Sequence, residues 1–185
     1  NPYLGDMSFS SFELLDQSKP VLVFGRDGQV GKALQICLKD LKVPAVFLGR
    51  SECDLSDETE IRKVLNHYQP QVIINAAAYT AVDKAESDRV LAFAINAKAP
   101  QVMAHYIANV SHGVLVHYST DYVFNGNATS PYAINTPLDP INVYGQTKAE
   151  GEQLALQNNP EALFESKMRL PKNFQTFMAL SGRGT

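Results

Sequence analysis

Two side chains late in the sequence have the types and the spacing of an acid–base pair. Tyr144 and Lys148 are four residues apart in residues 142–157, where the pattern predicts a helix. Residues four apart share one face of a helix, so the phenol and the ammonium are expected to be neighbours. A nearby positive charge favours the phenolate, and the pair is therefore expected to donate or accept a proton near neutral pH.

A hydroxyl group is the third candidate for the same chemistry. Thr120 follows the apolar run Val114–Tyr118, which is typical of a strand, and Asp121 comes next. A hydroxyl at the carboxyl end of a central strand can hydrogen-bond a substrate oxygen, and it can equally cap a turn. Thr120 becomes a catalytic candidate because Tyr144 and Lys148 could act with it.

A glycine loop near the start of the sequence could bind phosphate. The apolar run Val21–Phe24 leads directly into Gly25, Gly28 and Gly31, and a helical pattern follows. Glycines let backbone N–H groups approach a pyrophosphate, and a helix N-terminus adds about half a positive charge. The spacing, G-x-x-G-x-x-G, differs from the commonest fingerprint, and a plain tight turn is the alternative.

The segment after the predicted second strand, residues 44–48, bears on which cofactor is bound. In a dinucleotide-binding fold the end of this strand faces the adenosine ribose, where an arginine suits a 2′-phosphate. Arg50 therefore favours NADPH, with NADH as the other cofactor, although a solvated surface arginine is the alternative. Asp54 and Leu55 lie where an adenine ring would rest, and a simple loop turn explains them nearly as well.

Small residues follow the predicted third strand, Val72–Ile74. Ala76, Ala77 and Ala78 come at its carboxyl end, where parallel sheets bind ligands, and they leave room for a flat ligand close to the backbone. The alternative is that the alanines only pack well.

Strands and helices alternate along the rest of the chain, with a fifth strand at 162–164. Asp57 and Glu60 are predicted to form a capping pair for the second helix, and Pro100 is expected to kink or interrupt a helix over 87–109. Asn96 lies in that helix and is expected either to serve the site or to be exposed. The alternation predicts an α/β fold, a Rossmann-like doubly wound parallel sheet.

Length and composition agree with one globular domain. The 185 residues are 45% hydrophobic and 19% charged, and the net charge of −3 without a basic cluster argues against nucleic acid or an anionic membrane as partner. Cys37 and Cys53 have no metal-ligand spacing and no evident disulfide partner, so no metal is expected and a reducing compartment is favoured. With no membrane span or signal peptide evident, the expected location is the cytoplasm.

With these motifs placed, residues 20–165 resemble the extended short-chain dehydrogenase/reductases, most closely the dTDP-4-dehydrorhamnose reductase family. Four stretches carry the resemblance, and the last three are more specific than the glycines: 24–31 (FGRDGQVG), 75–86 (NAAAYTAVDKAE), 117–124 (HYSTDYVF) and 142–151 (NVYGQTKAEG). The resemblance implies an oxidoreductase that reduces the C4 ketone of dTDP-4-dehydro-L-rhamnose with NADPH or NADH. A nucleotide sugar is then the partner, and a homodimer is compatible with this family.

The resemblance also implies a role for each matching residue. Thr120, Tyr144 and Lys148 are similar to the catalytic set, and Thr120 and Asp121 to residues that touch the sugar nucleotide. Tyr144 would donate the proton, Thr120 would bond the carbonyl oxygen, and Lys148 would bind ribose hydroxyls and lower the pKa of the phenol. The implied cofactor contacts are the pyrophosphate on Gly28, Gln29 and Val30, the adenine side on Asp54 and Leu55, and the nicotinamide ribose on Ala76, Ala77 and Ala78.

Members of that family are longer than this chain. Residues 1–19 are expected to be an N-terminal extension, 20–165 the NAD(P)-binding domain, and 166–185 a remnant of the substrate domain or an irregular tail. Two alternatives stay open. One is a non-catalytic nucleotide-binding subunit like the regulatory subunit of methionine adenosyltransferase, and the other is a different nucleotide-sugar reductase or epimerase.

Overall fold

The structure is a computed structural model and describes residues 18–130, 132–133 and 135–165. Expectations about residues 1–17 and 166–185 lie outside the described residues. Residues 163–165 are described as a strand without their side chains.

Five parallel strands form the centre of the fold, in the order β2-β1-β3-β4-β5. They are β1 (Val21–Phe24), β2 (Ala45–Leu48), β3 (Val72–Asn75), β4 (Val114–Tyr118) and β5 (Leu163–Glu165). The chain moves outward from β1 to β2, then crosses back over β1 to β3, so the direction of winding reverses between β1 and β3. This is a doubly wound sheet, as predicted, and such sheets bind ligands outside the carboxyl ends of the strands at this reversal.

Six α-helices connect the strands: α1 (Gln29–Asp40), α2 (Glu58–Tyr68), α3 (Val82–Ala85), α4 (Arg89–Phe93), α5 (Ala99–Tyr106) and α6 (Val143–Asn158). Leu34 and Leu38 of α1 pack with Val23 on one face of the sheet. The largest apolar cluster, with residues of α2 and α5, covers the other face. Apolar strands buried between two helical layers account for the short hydrophobic runs in the sequence.

The region predicted as one helix over 87–109 is more divided than expected. Between α4 and α5 the backbone widens into a π-helical turn, Ala94–Lys98, and a second π-helical turn, Ile107–Ser111, follows α5. Pro100 lies in the first turn of α5, directly after the π-helical turn, so its missing N–H falls where the hydrogen-bond pattern changes from π-helical to α-helical. The interruption thus occurs just before the proline.

The capping prediction for α2 is half right. The Asp57 carboxylate caps the helix by accepting a hydrogen bond from the Thr59 N–H at 2.8 Å. Glu60 does not bond back to Asp57, because its carboxylate accepts from the Asp54 N–H at 2.8 Å. Glu60 therefore fixes the loop after β2.

Candidate active site

A cleft of about 520 Å³ lies at the carboxyl ends of β1, β2 and β3. Its lining contains eight of the predicted cofactor-binding residues: Gly25, Gly28, Arg50, Asp54, Leu55, Ala76, Ala77 and Ala78. Five others, Gln29, Val30, Gly31, Tyr144 and Lys148, do not line it. The first three of those five belong to the first turn of α1, directly behind the loop.

The three glycines of the loop have different structural roles. Gly25 has a φ of 95°, and a Cβ there would lie 2.7 Å from the Ala76 carbonyl, so the chain can pass β3 only with glycine. A Cβ on Gly31 would lie 2.1 Å from the Gly25 oxygen, which lets α1 begin tightly beneath the loop. Gly28 is the N-cap of α1 and makes no side-chain cap, and a Cβ there would meet the Gly25 oxygen at an ordinary contact distance of 3.5 Å. The N–H groups of the first turn are therefore available to an anion.

The end of β2 holds an ion-pair cluster that the sequence analysis missed. Arg26, in the glycine loop, pairs with Glu52 at 2.7 Å and with Asp27 at 3.2 Å. Glu52 also accepts from the Gly49 N–H at 2.9 Å. Arg26 thus lines the same cleft as Arg50. The sequence could have indicated it, because Arg26 is a positively charged residue within the glycine motif.

Asp54 and Leu55 both have structural roles in addition to lining the cleft. The Asp54 carboxylate accepts from the N–H and the hydroxyl of Ser56 at 2.9 and 2.7 Å, and these bonds lower its pKa. Asp54 therefore also stabilises a loop turn, which was the alternative interpretation of this residue. Leu55 is buried in the largest apolar cluster while part of it borders the cleft.

Asn96 fastens the loop that follows β3. Its side chain accepts from the Tyr79 N–H at 2.8 Å and donates to the Tyr79 carbonyl at 3.1 Å. It also donates to the Thr147 hydroxyl at 3.1 Å and is 1% exposed, so the expectation of an exposed asparagine is wrong. The π-helical turn brings Asn96 to this position, and through it the cleft loop is tied to α6.

The three predicted catalytic residues come from two neighbouring elements. Thr120 lies just beyond β4, and Tyr144 and Lys148 lie one turn apart on α6, which Asn142 caps by accepting from the Gly145 N–H at 2.8 Å. The Thr120 hydroxyl lies close enough to the Tyr144 phenol to lower the pKa of that phenol. Tyr144 also packs in a small apolar cluster with Tyr79, which lines the cleft. The phenol and the hydroxyl therefore meet at the side of the cleft.

The pKa of Tyr144 departs from the prediction. Burial raises it, the nearby Thr120 hydroxyl lowers it, and the charge of Asp121 raises it further, so that the net direction is upward. The expected lowering by Lys148 is not present in this structure. Tyr144 is consequently protonated at neutral pH, which is the state that a proton donor requires.

Lys148 faces inward, toward β4. Its ammonium donates to the Tyr118 carbonyl at 2.5 Å and lies 3.4 Å from His117 Nε2, and the residue is 1% exposed. Burial lowers the pKa of Lys148 to about 8, although the negative charge of Glu152 opposes the shift. The buried His117 was missed because a histidine within an apolar strand reads as an ordinary core position.

Asp121, predicted to touch the sugar nucleotide, lies at the same strand end. It begins a 3₁₀ turn, Asp121–Val123, and its carboxylate accepts from the Thr120 hydroxyl at 3.2 Å. Asp121 is exposed, as a residue that contacts a ligand from above the sheet would be. Its carboxylate is also the nearest negative charge acting on Tyr144.

The described part of the chain shows neither a metal-binding cluster nor a membrane-spanning helix. No cluster of three or more histidine, cysteine, aspartate or glutamate side chains there could hold a metal ion. None of the helices in the described ranges is both long and apolar enough to cross a bilayer. Cys37 and Cys53 are both free thiols.

Similarity to known proteins agrees with this geometry. A family model described as the RmlD substrate binding domain matches residues 19–165. A dTDP-4-dehydrorhamnose reductase of Burkholderia thailandensis is 45% identical over 132 residues, covering 71% of this chain and 44% of its own length. A probable dTDP-4,6-dihydroxy-2-methyloxan-3-one 4-ketoreductase of Streptomyces antibioticus is 39% identical over 141 residues, with 76% and 48% covered.

A solved structure gives the same relationship. The dTDP-4-dehydrorhamnose reductase of Bacillus anthracis, in complex with NADP, superposes with a TM-score of 0.74 at 32% identity, covering 80% of this chain and 52% of that one. The chain thus spans about half the length of the relatives that it matches. A family model that covers residues 19–165, together with the shared fold, identifies the chain as a member of the RmlD substrate binding domain family.

Proposed function

We propose that the protein is a reductase that uses NADPH, or less readily NADH, to reduce the C4 ketone of dTDP-4-dehydro-L-rhamnose to dTDP-L-rhamnose. The observation that carries the proposal is that the Thr120 hydroxyl and a protonated Tyr144 lie near each other beside the cleft. Relatives named dTDP-4-dehydrorhamnose reductase support the choice of substrate. The chain spans about half the length of those relatives, so their activity is a proposal for this chain.

The residues of the cleft fit a nicotinamide dinucleotide. The first turn of α1 has no side-chain cap and Gly28 lines the cleft, which suits a pyrophosphate bound by the backbone N–H groups of Gln29, Val30 and Gly31. The three alanines after β3 leave a flat wall for the nicotinamide ribose, and Asp54 and Leu55 lie at the adenine end. Arg50 and Arg26 offer cations for a 2′-phosphate at the end of β2. A relative solved with NADP supports the same assignment.

The proposed chemistry divides between the cofactor and the protein. The nicotinamide supplies a hydride to the ketone carbon when it is bound. Tyr144 donates its phenolic proton to the ketone oxygen, and the Thr120 hydroxyl hydrogen-bonds that oxygen as negative charge develops on it. Lys148, one turn further along α6, is the third member of the proposed catalytic set. Asp121 and Thr120 hold the sugar nucleotide.

The direct test adds dTDP-4-dehydro-L-rhamnose and NADPH to the purified protein and follows the loss of nicotinamide absorbance. A reductase consumes one NADPH for each substrate converted. An epimerase of the same fold would recycle the cofactor and show no net loss, whereas a regulatory nucleotide-binding subunit would show neither loss nor product. Absence of both NADPH loss and product would contradict the proposal.

A different nucleotide-sugar ketone is the second candidate substrate. The Streptomyces antibioticus relative is named as a probable 4-ketoreductase of another dTDP-linked sugar, and its match covers the same strands and helices. Assays with both dTDP-linked ketones separate the two candidates, since a rhamnose-type enzyme prefers the first by its ratio of kcat to KM.

Location and assembly complete the proposal. Two free thiols in the described residues are compatible with a reducing compartment, so we place the protein in the cytoplasm. A nucleotide-sugar substrate is its expected partner, and the homodimer stays a prediction.

A further inference from the structure

Three buried polar side chains form a row beneath the candidate active site. Asn75 ends β3, His117 is its registered neighbour on β4, and Lys148 comes from α6. Asn75 Nδ2 lies 3.1 Å from His117 Nδ1, and His117 Nε2 lies 3.4 Å from Lys148 Nζ. Exposure is at most 1% for each of the three, so solvent cannot compensate for a mismatch of donors and acceptors.

The orientation of the Asn75 amide is fixed by the backbone. The Ala77 N–H donates to Asn75 Oδ1 at 3.2 Å, so the amide oxygen must point there. Asn75 Nδ2 is consequently the donor toward His117 Nδ1. Burial and the charge of Lys148 keep the pKa of His117 well below its usual value, and the imidazole is neutral. A neutral imidazole that accepts on Nδ1 carries its proton on Nε2.

The proton on Nε2 faces the nitrogen of Lys148. An ammonium has only donors, whereas a neutral amine has a lone pair that can accept a hydrogen bond. Lys148 already donates to the Tyr118 carbonyl at 2.5 Å, and the imidazole N–H occupies another side of the same nitrogen. Two donors meet when Lys148 is charged, and one donor meets one acceptor when it is neutral.

We propose that His117 is a positioning residue that, through its Nε2–H, favours the neutral amine of Lys148 and holds this lysine ready to gain or lose a proton. Asn75 sets the tautomer of His117 and is the second positioning residue. The inference rests on the proposed function for its purpose, because Lys148 belongs to a catalytic set only if the proposed reduction takes place there. The hydrogen-bond pattern itself stands without that function.

Other groups around Lys148 act in known directions. Glu152, one turn further along α6, favours the charged lysine, and its carboxylate is held by the Ser119 hydroxyl. The remaining polar groups packed against α6 are Asp121 on the 3₁₀ turn, whose charge acts on Tyr144, Asn96 on the π-helical turn, and Glu86 after α3, which accepts from the Val143 N–H. Glu152 is thus the one group among these whose charge directly opposes the effect assigned to His117.

The test measures the titration of Lys148 directly, without substrate or cofactor. Lysine labelled with ¹³C at Cε reports its own protonation by NMR, and Lys148→Met assigns the signal. In the unaltered chain we expect a midpoint well below the ordinary lysine value of about 10.4. Because this readout needs no turnover, its failure is separate from failure of the proposed reductase activity.

Two variants alter the imidazole of His117. Asn75→Asp changes its tautomer, and His117→Gln removes it. In Asn75→Asp a carboxylate accepts from Nδ1–H, which frees the Nε2 lone pair for the ammonium, and the Lys148 midpoint rises by about one pH unit or more. In His117→Gln the terminal amide can turn its oxygen toward Lys148, and the midpoint rises in the same direction. The second variant keeps the test valid should a buried aspartate prevent folding.

A matched control exists on the surface. Asn109 Nδ2 lies 3.3 Å from His105 Nδ1, an exposed pair of the same chemistry, so Asn109→Asp makes the same change far from the buried row. The Lys148 midpoint should not move in that variant. An ordinary midpoint in the unaltered chain, or an unchanged midpoint in a folded His117→Gln protein, overturns the proposal.

Discussion

Burial, more than the neighbouring cation, decides the acidity of the groups in this site. The phenol of Tyr144 and the amine of Lys148 lie four residues apart as the sequence predicts, yet burial raises the pKa of the first and lowers that of the second. Desolvation disfavours each charged form. The site therefore holds an acid in its protonated state, which suits reduction of a ketone.

The first prediction concerns the proton donor. Tyr144→Phe should abolish reduction while NADPH binding changes only a few fold, because the phenol lies beside the cleft and does not line it. Nicotinamide absorbance measures turnover, and cofactor fluorescence measures binding. Tyr122→Phe is the matched control, since Tyr122 packs edge-on against Tyr144 at 5.3 Å and is half exposed. Unchanged turnover in Tyr144→Phe would end the assignment.

The second prediction concerns cofactor choice. Arg50→Ala should narrow the preference for NADPH over NADH, and Arg26→Ala should narrow it less, since Arg26 is already paired with Glu52 and Asp27. An exposed contact to phosphate is worth about 1 kcal/mol, or roughly fivefold in affinity. Dissociation constants for both cofactors give the ratio. Arg62→Ala, on the surface of α2, serves as control, and equal affinities in the unaltered protein would remove the role given to Arg50.

The third prediction follows from the depressed pKa of Lys148. The unfolded chain binds this proton up to about pH 10.4 and the folded chain only to about pH 8, so this group makes stability rise with pH between those values. Lys148→Met should therefore be more stable than the parent at pH 7, and its advantage should shrink by pH 9.5. Urea unfolding at both pH values measures the difference, and subtracting the two proteins cancels the other groups, such as Cys53. A constant advantage would contradict the depressed pKa.

At the scale of the elements, close contact between α6 and the π-helical turn positions the catalytic side chains. A Cβ on Gly151 would lie 2.1 Å from the Asn96 carbonyl, and a Cβ on Gly145 would lie 2.1 Å from the Tyr122 carbonyl. Both glycines let α6 approach backbone atoms that no other residue would allow. The distance of Tyr144 from Thr120 depends on this approach.

The fourth prediction tests that contact. Alanine is ordinarily better than glycine inside a helix by about 1 kcal/mol, yet Gly151→Ala should destabilise by roughly 1–3 kcal/mol because the backbone carbonyl cannot move aside cheaply. Urea unfolding shows whether the substitution lowers or raises the free energy of unfolding. Gln153→Ala on the exposed side of α6 should change stability by less than about 0.5 kcal/mol. A stabilised Gly151→Ala protein would mean that α6 can shift freely.

The elements themselves were largely predictable, and the reasons are local. Strand β4 occurs at the predicted residues, and α6 begins within one residue of its predicted cap, because apolar runs and an asparagine cap are local signals. The π-helical turn at Ala94–Lys98 was not predictable, since it depends on Asn96 reaching Tyr79 and Thr147 on distant segments. The Arg26 cluster and the His117 row likewise depend on neighbours brought together by the sheet.

At the scale of the whole molecule, cofactor binding and substrate turnover can be tested separately. The cleft is built wholly from β1, β2, β3 and the segments after them, all within the described residues. The match covers 48% and 44% of the length of the two relatives. Contacts to the remote part of a substrate contribute to the rate of the chemical step as well as to affinity. Cofactor binding can therefore be measured on this chain by itself, because the residues that line the cleft are all among those described.

The fifth prediction concerns the binding of NADPH to this chain. NADPH at 100 times its dissociation constant should stabilise this chain by about 2.7 kcal/mol, seen as a rise in Tm of several degrees. Ala78→Leu should reduce the rise by filling the wall of the cleft, whereas Ala128→Leu on an exposed loop should leave it unchanged. No rise with the unaltered chain would remove the cofactor assignment.

The wide turn at Ala94–Lys98 also constrains how the sequence can vary in length. A π-helical turn holds one residue more than an α-helical one, so deleting a residue there would let the backbone close into a regular helix. That closure would remove the wide turn that brings Asn96 against Tyr79 and Thr147, so the loop after β3 would lose its tie to α6. We therefore expect insertions and deletions to be tolerated in the surface loops and rejected in these five residues.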